Sequence, residues 1–141
     1  MARPFRCRIP VRFGDIDQAG VAYYPTLLSH CHAAFEEFFA GALGRTYPKV
    51  VMEDKIGFPT VHLEADFREP LRYGDLLTME VSVAKLGERS VVFRYRAFRK
   101  GSRQAAFEIL GTTACVDLKR FKSVPVPRWL RERLKRYLRP A

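Results

Sequence analysis

The chain has 141 residues and a formal net charge of +10, with 25 Lys and Arg against 15 Asp and Glu. This length suits one domain, and an apolar fraction of 48% excludes a disordered chain. The charge predicts either an anionic partner, which could be nucleic acid, an anionic membrane surface or a small phosphorylated ligand, or simply a solvated basic surface. Three separated cysteines without a C-x-x-C pair argue against a disulfide scaffold or a zinc site, and they predict a reducing, cytoplasmic location.

The first predicted element is a strand over residues 5–13, where apolar residues alternate with arginine and proline. This period of two indicates a half-buried strand with a basic outer face. From Pro25 the apolar residues recur every three or four positions, which predicts an amphipathic helix that ends near Gly44. A short helix is expected from Pro48 to about Lys55.

Three or four strands follow in series. Apolar residues alternate over 61–67, 77–83 and 91–97, and a longer β-compatible run covers 104–118. The last predicted element is a short amphipathic helix at about 126–138.

This order of elements predicts an α+β layer structure, in which an antiparallel sheet of about five strands covers one long helix. We predict a single domain over residues 1–141. Such a sheet leaves an edge strand, so we expect subunits to pair.

The segment between the first strand and the long helix is the most informative one. It reads Phe13-Gly14-Asp15-Ile16-Asp17-Gln18-Ala19-Gly20-Val21-Ala22-Tyr23-Tyr24-Pro25. Its carboxylates come just before a helix start, where free backbone N–H groups make an electropositive site. Such a site can hold a carbonyl oxygen as it gains negative charge, while a carboxylate attacks the carbonyl or activates water. On the residues alone, an Asp-rich turn that only caps the helix is the simpler interpretation.

Residues 13–25 resemble the signature of the 4-hydroxybenzoyl-CoA thioesterase family of hotdog enzymes. The shared features are Asp-x-Asp, then Ala-Gly, then two aromatic residues before the helix. The order of elements from Arg6 to Leu118 and the turn at residues 70–75 also resemble that family. The resemblance implies a hotdog fold and an acyl-CoA thioesterase, which cleaves an aromatic or short-to-medium acyl-CoA to CoA and a carboxylate.

The same resemblance implies roles for individual residues. Asp17 matches the catalytic carboxylate, as general base or nucleophile, and the backbone N–H of Tyr24 matches the group that polarises the thioester carbonyl. Asp15 is expected to fix the loop by hydrogen bonds. His32 stands where the hydroxybenzoyl-CoA enzyme has an Asp that receives the phenol hydroxyl. Its neutral imidazole can make one such hydrogen bond, or it can be an interface residue without a ligand role. His30 falls on another helix face and is expected to be exposed.

Coenzyme A carries phosphates that arginine and lysine bind with charge-assisted hydrogen bonds. By resemblance, we nominate Arg89 and, second to it, Lys85 and Arg128 as substrate-binding residues, with simple surface exposure as the alternative.

No cofactor is predicted, and no metal site is expected, because the three histidines lack H-x-x-x-H spacing and the neighbouring cysteines that a zinc site would need. A serine nucleophile is not expected either, since no G-x-S-x-G pattern occurs in the sequence. A nucleic-acid partner is not expected, since most aromatic residues fall on apolar faces rather than among the basic ones. A membrane partner is not expected either, because no apolar run is long enough to span a bilayer. The expected partners are an acyl-CoA substrate and further copies of the chain. The resemblance implies a homodimer or homotetramer with intersubunit active sites. The alternative function is a non-catalytic acyl-CoA-binding or regulatory hotdog module.

Overall fold

A computed structural model of the chain describes residues 3–140. Its helices are α1 (Tyr24–Gly41), α2 (Tyr47–Met52) and α3 (Arg128–Lys135). Its strands are β1 (Phe5–Pro10), β2 (Ile56–Gly57), β3 (Thr60–Phe67), β4 (Leu76–Leu86), β5 (Ser90–Phe98), β6 (Phe107–Ala114), β7 (Val116–Asp117) and β8 (Lys122–Ser123). The main sheet is antiparallel and has the order β1-β4-β5-β6-β3. The predicted α+β fold, a long helix packed against a five-stranded sheet, is therefore confirmed.

Helix α1 packs its aromatic face onto the inner face of the sheet. Pro25 lies in its first turn, where a missing N–H costs nothing. Phe35 and Phe38 contact Phe93 of β5 edge-on, with ring centroids 5.2 and 6.1 Å apart. The chain leaves the helix through Gly44, whose φ of +71° is the left-handed conformation that glycine adopts without strain. Among helices within residues 3–140, none is both long and apolar enough to cross a membrane.

The C-terminal part of the chain is less regular than its sequence pattern indicates. The run predicted as one strand over 104–118 breaks at Cys115, whose N–H donates to the Arg89 carbonyl. The two residues after it pair with β2 in a small sheet of order β2-β7-β8. Helix α3 is shorter than predicted. Beyond it, Val83 of β4 bonds to Tyr137 and Arg139, which occupy the β4 edge beyond the end of β1.

Strand β3 is exposed along its whole length. It pairs with β6 on one side, and within the described chain its other edge has no partner strand. Its apolar residues Val61, Leu63 and Phe67 are 65%, 46% and 48% exposed. The apolar residues of β3 are therefore not buried by the described chain itself. A free edge strand has a neighbouring strand on one side only, so part of its surface is left uncovered.

Candidate functional site

The loop between β1 and α1 is a compact hairpin turn. Asp17 N–H donates to the Val21 carbonyl at 3.0 Å, and Gly20 N–H donates to the Asp17 carbonyl at the same distance. Gly20 has a φ of +82°, the left-handed conformation that closes the turn. Next to it, Ile16 and Ala22 form a β-bridge. The turn therefore presents Asp17 on a defined backbone rather than on a flexible tip.

The Asp17 carboxylate supports its own turn. Oδ1 accepts the Ala19 N–H at 2.9 Å and lies 3.5 Å from the Val21 amide nitrogen. Such a bond to the residue two positions on is an Asx-turn. Oδ2 lies outside these bonds, and the residue is exposed. One oxygen thus orients the side chain while the carboxylate as a whole remains open to a ligand.

Tyr24 begins α1, and Tyr23 before it has the extended backbone of an N-cap residue. Amides in a first helical turn have no partner within the helix, so they can donate to a ligand. Tyr24 itself is 66% exposed. It lines a cleft of about 320 Å³ between α1 and the end of β3, together with Leu27, Phe67 and Pro70.

Asp17 lies in the loop before α1, and Tyr24 is the first residue of that helix, seven positions further along the chain. Among the described residues that line the Tyr24 cleft, Asp17 is absent. The described chain therefore does not enclose the two predicted catalytic groups in one cavity.

A second cavity, of about 140 Å³, lies further along α1. His32, Phe35, Phe58, Leu63 and Tyr95 are among its lining residues. It is therefore mainly apolar and aromatic, with polar groups at intervals, which is the usual composition of a small-molecule site.

The two cavities are lined by the same two elements. Helix α1 contributes Tyr24 to the first and Phe35 to the second, about 16 Å apart at 1.5 Å per residue. Strand β3 contributes Phe67 to the first and Leu63 to the second. We call the two cavities together the α1–β3 groove, because both lie between α1 and the free edge strand.

His32 lies in this groove, and its imidazole already has neighbours. The ring stacks on Phe35 with a centroid separation of 5.6 Å, and Nε2 lies 3.3 Å from Glu36 Oε2. The pair with Glu36 is one helical turn long and largely exposed. His32 thus lines the cavity with an imidazole that is paired with Glu36.

The three nominated basic residues lie at the other end of the sheet. Arg89 is in the β4–β5 turn, where Nη1 donates to the Ser123 carbonyl at 2.8 Å. Lys85 is near the end of β4, and Arg128 opens α3, which a bond from Val126 N–H to the Glu88 carbonyl ties to the same turn. The Asp17 loop follows the opposite end of the sheet, and the nine residues of β5 between the two ends span about 26 Å. One chain therefore does not bring the basic residues to the catalytic pair.

Comparison with known proteins decides the family. Residues 11–134 match the thioesterase-like superfamily. The chain belongs to that superfamily. A 1,4-dihydroxy-2-naphthoyl-CoA hydrolase of Prochlorococcus marinus (strain MIT 9303) is 31% identical over 128 residues, which cover 85% of each chain. A hydrolase of the same name from Acaryochloris marina is 37% identical over 98 residues, which cover 68% of this chain and 71% of that one.

Solved structures agree on the hotdog thioesterase fold. A thioesterase superfamily protein from Jannaschia sp. CCS1 superposes with a TM-score of 0.89 at 26% identity, covering 100% of this chain and 99% of that one. A 1,4-dihydroxy-2-naphthoyl-CoA thioesterase from Synechocystis superposes with a TM-score of 0.83 at 23% identity, covering 93% of this chain and 95% of that one. At that lower identity the likeness establishes the fold alone. The family match and the similar hydrolases make this chain a thioester hydrolase.

Two residues of this thioesterase were misjudged or missed in the sequence. His30 is 7% exposed and lies 2.9 Å from Asp15, so the expectation of an exposed residue is wrong. A signal was present, because Leu27 and Ala34 are apolar and lie three and four residues away on the same helix face. Tyr95 of β5 lines the aromatic cavity, and burial raises the pKa of its hydroxyl well above the usual value. The alternation of Phe93 and Tyr95 along β5 predicts that Tyr95 faces the core, but it does not predict that Tyr95 lines a cavity.

Proposed function

We propose that this thioesterase hydrolyses an aromatic acyl-CoA to free CoA and a carboxylate. The α1–β3 groove carries the proposal, because its two cavities lie along the same helix, one at the start of α1 and the other walled by aromatic side chains. The two similar hydrolases, named for the bicyclic aromatic substrate 1,4-dihydroxy-2-naphthoyl-CoA, support the same substrate class. Short and medium aliphatic acyl-CoA esters are the competing outcome.

In the proposed mechanism the Tyr24 N–H donates to the thioester carbonyl oxygen. That donor stabilises the tetrahedral intermediate by about 3 kcal/mol. Asp17 either removes a proton from the attacking water or attacks the carbonyl itself to form a mixed anhydride. In both routes the carbon–sulfur bond breaks, CoA leaves as the thiol, and water supplies the second carboxylate oxygen of the product.

The acyl group is proposed to lie in the aromatic cavity. Stacking against Phe35 and Phe58 suits a planar ring, and His32 offers a hydrogen bond to a ring hydroxyl. His32 carries no fixed negative charge, in contrast to the Asp of the hydroxybenzoyl-CoA enzyme. The proposed substrate class is therefore aromatic acyl-CoA. 4-Hydroxybenzoyl-CoA is one member of that class, and the proposal does not single it out.

We propose that the active enzyme is a homodimer, or a homotetramer built from such dimers, with each site shared between subunits. The support is the free edge of β3 and the exposed Val61, Leu63 and Phe67 on it. Two β3 strands paired antiparallel about a two-fold axis extend the sheet to ten strands. The axis also brings the Arg89 end of one subunit to the Asp17 end of the other. Arg89, Lys85 and Arg128 would then bind CoA phosphates at the partner's site.

We also propose that residues 1–141 form one hotdog domain. A cytoplasmic location suits it, because Cys7, Cys31 and Cys115 are free thiols.

The test is thiol release from a panel of benzoyl-, 4-hydroxybenzoyl-, 1,4-dihydroxy-2-naphthoyl- and hexanoyl-CoA. We expect the aromatic esters to be turned over fastest.

Asp17→Asn is expected to lower kcat by about 10²-fold or more with the fold intact, since the amide can neither accept a proton nor attack. A mutant with near-wild-type turnover removes Asp17 from the mechanism. Tight binding of every ester without thiol release supports a binding module instead.

A further inference from the structure

His30 and Thr26 of α1 hold Asp15 from one side of the helix. His30 Nε2 lies 2.9 Å from Asp15 Oδ2, and the single Thr26 hydroxyl proton is shared between the Tyr23 carbonyl at 2.7 Å and the Asp15 carbonyl at 3.1 Å. The two helix residues are four positions apart, so they lie one above the other on one face. The side chain and the backbone of Asp15 are thus both attached to α1.

Asp15 also forms a hydrogen bond within its own loop, so the loop is connected to α1 through this residue. The Oδ2 atom that faces His30 also accepts the Arg12 N–H at 2.8 Å, which closes the short 3-10 turn before the hairpin. Asp17 follows two residues later, within the hairpin closed by the Ile16–Ala22 bridge. The other leg of the hairpin is held where Ala22 N–H donates to the Leu71 carbonyl at 2.7 Å. Residues 17–20 at its tip are exposed, so these two legs set where Asp17 lies.

The pairing of His30 is a poor choice for stability alone. Its Nδ1 is buried and has no hydrogen-bond partner within residues 3–140. A buried polar atom without a partner costs free energy of folding. The contact that the imidazole adds at this position is the one that its other nitrogen, Nε2, makes with Asp15.

We infer that His30 is a positioning residue for the hydrolysis proposed above. It holds Asp15, and through Asp15 the hairpin that carries Asp17, at a fixed place beside the first turn of α1. A carboxylate only accepts hydrogen bonds, so the contact assigns a proton to Nε2. The inference rests on the proposed function, but the attachment itself can be measured without turnover.

The kinetic test compares His30→Phe with His30→Gln, whose side-chain amide can still donate to Asp15. We expect His30→Phe to lower kcat at least tenfold with KM changed less than threefold, because the α1–β3 groove stays intact while Asp17 is displaced. His30→Gln should recover most of kcat. Asp15→Ala combined with His30→Phe should be no slower than Asp15→Ala alone, since either change removes the same contact.

Asp54→Asn is the matched control, since it breaks a comparable pair to Arg45 far along the chain from the loop. It should leave kcat unchanged. If folded His30→Phe keeps kcat within twofold of wild type, or if His30→Gln is no better than His30→Phe, the inference is overturned.

Amide hydrogen exchange gives a readout that needs no substrate. The Ala19 and Val21 amides, which face Asp17 Oδ1, should exchange faster in His30→Phe and at the wild-type rate in His30→Gln, with α1 unchanged in all. If the Ala19 and Val21 amides exchange at the wild-type rate in His30→Phe, the proposed attachment of the loop through His30 is overturned. If wild type releases no thiol from any ester yet the exchange pattern appears, the proposed function fails and the attachment stands. If His30→Phe does not fold, His30→Gln against Asp15→Ala decides by the same two measurements.

Discussion

Gly111 of β6 is the cross-strand partner of Leu63 on the free edge strand β3. A Cβ built on Gly111 would be 3.6 Å from Leu63 Cδ2 and 3.9 Å from Tyr95 Cε2, which are ordinary van der Waals contacts. All three residues line the aromatic cavity. The glycine therefore widens the cavity rather than relieving a clash.

Gly111→Ala is expected to fold and to narrow the cavity by one methyl group. Stability should stay the same or rise by about 0.5 kcal/mol, since alanine has less backbone freedom to lose. Turnover of a bicyclic aromatic acyl-CoA should fall about tenfold relative to benzoyl-CoA, since one methyl in an apolar pocket has an effect of this size. The ratio of kcat/KM for the two esters checks this. An equal decline for both would contradict an acyl group in this cavity.

Charges on the β3 edge are expected to separate the proposed dimer. Val61→Lys with Leu63→Lys would place like charges against each other across the two-fold axis and remove two exposed apolar side chains. We expect a monomer by light scattering and loss of thiol release. Met52→Lys is the control, because Met52 is equally exposed but lies on α2. A wild-type protein that is itself monomeric and active would rule out the shared site.

Loss of the basic residues around the β4–β5 turn should weaken CoA binding without slowing chemistry. Lys85→Ala with Arg128→Ala is expected to raise KM for acyl-CoA about tenfold and to leave kcat nearly constant, since each cation contributes a screened contact to phosphate. The corresponding acyl-pantetheine, which lacks the nucleotide phosphates, should show no change. Lys49→Ala on α2 provides the basic-residue control. A similar rise in KM for both substrates would show that these residues do not act by binding the nucleotide phosphates.

Thiol reagents should react slowly with the native protein. Burial raises the pKa of Cys115 to about 11, and burial together with Glu37 raises the pKa of Cys7 to about 11. Burial raises the pKa of Cys31 as well. At pH 8 a thiol with a pKa near 11 is about one-thousandth ionised, and the thiolate is the reactive form. We expect less than one equivalent to react within minutes in buffer and three in denaturant; rapid labelling in buffer would contradict the assigned burial.

Much of the fold follows from local pattern. The spacing of apolar residues in α1 and the alternation in β4 and β5 place these elements, because helices and strands expose one face with a fixed period. The loop with Asp15 and Asp17 before a proline-started helix carries the family resemblance. The structure differs from these predictions at several points: β1 ends at Pro10 rather than near Phe13, a small second sheet forms, Cys115 breaks a strand, and α3 ends early.

The sequence by itself therefore determined the order of elements, the hotdog fold and the residues offered for catalysis. Tertiary structure decided that His30 turns inward to Asp15, that β3 is left uncovered, and that Arg89 lies a full strand length from Asp17. A repeating pattern states which residues share a face, but it does not state which distant segment packs against that face. That choice depends on contacts between residues far apart in the chain.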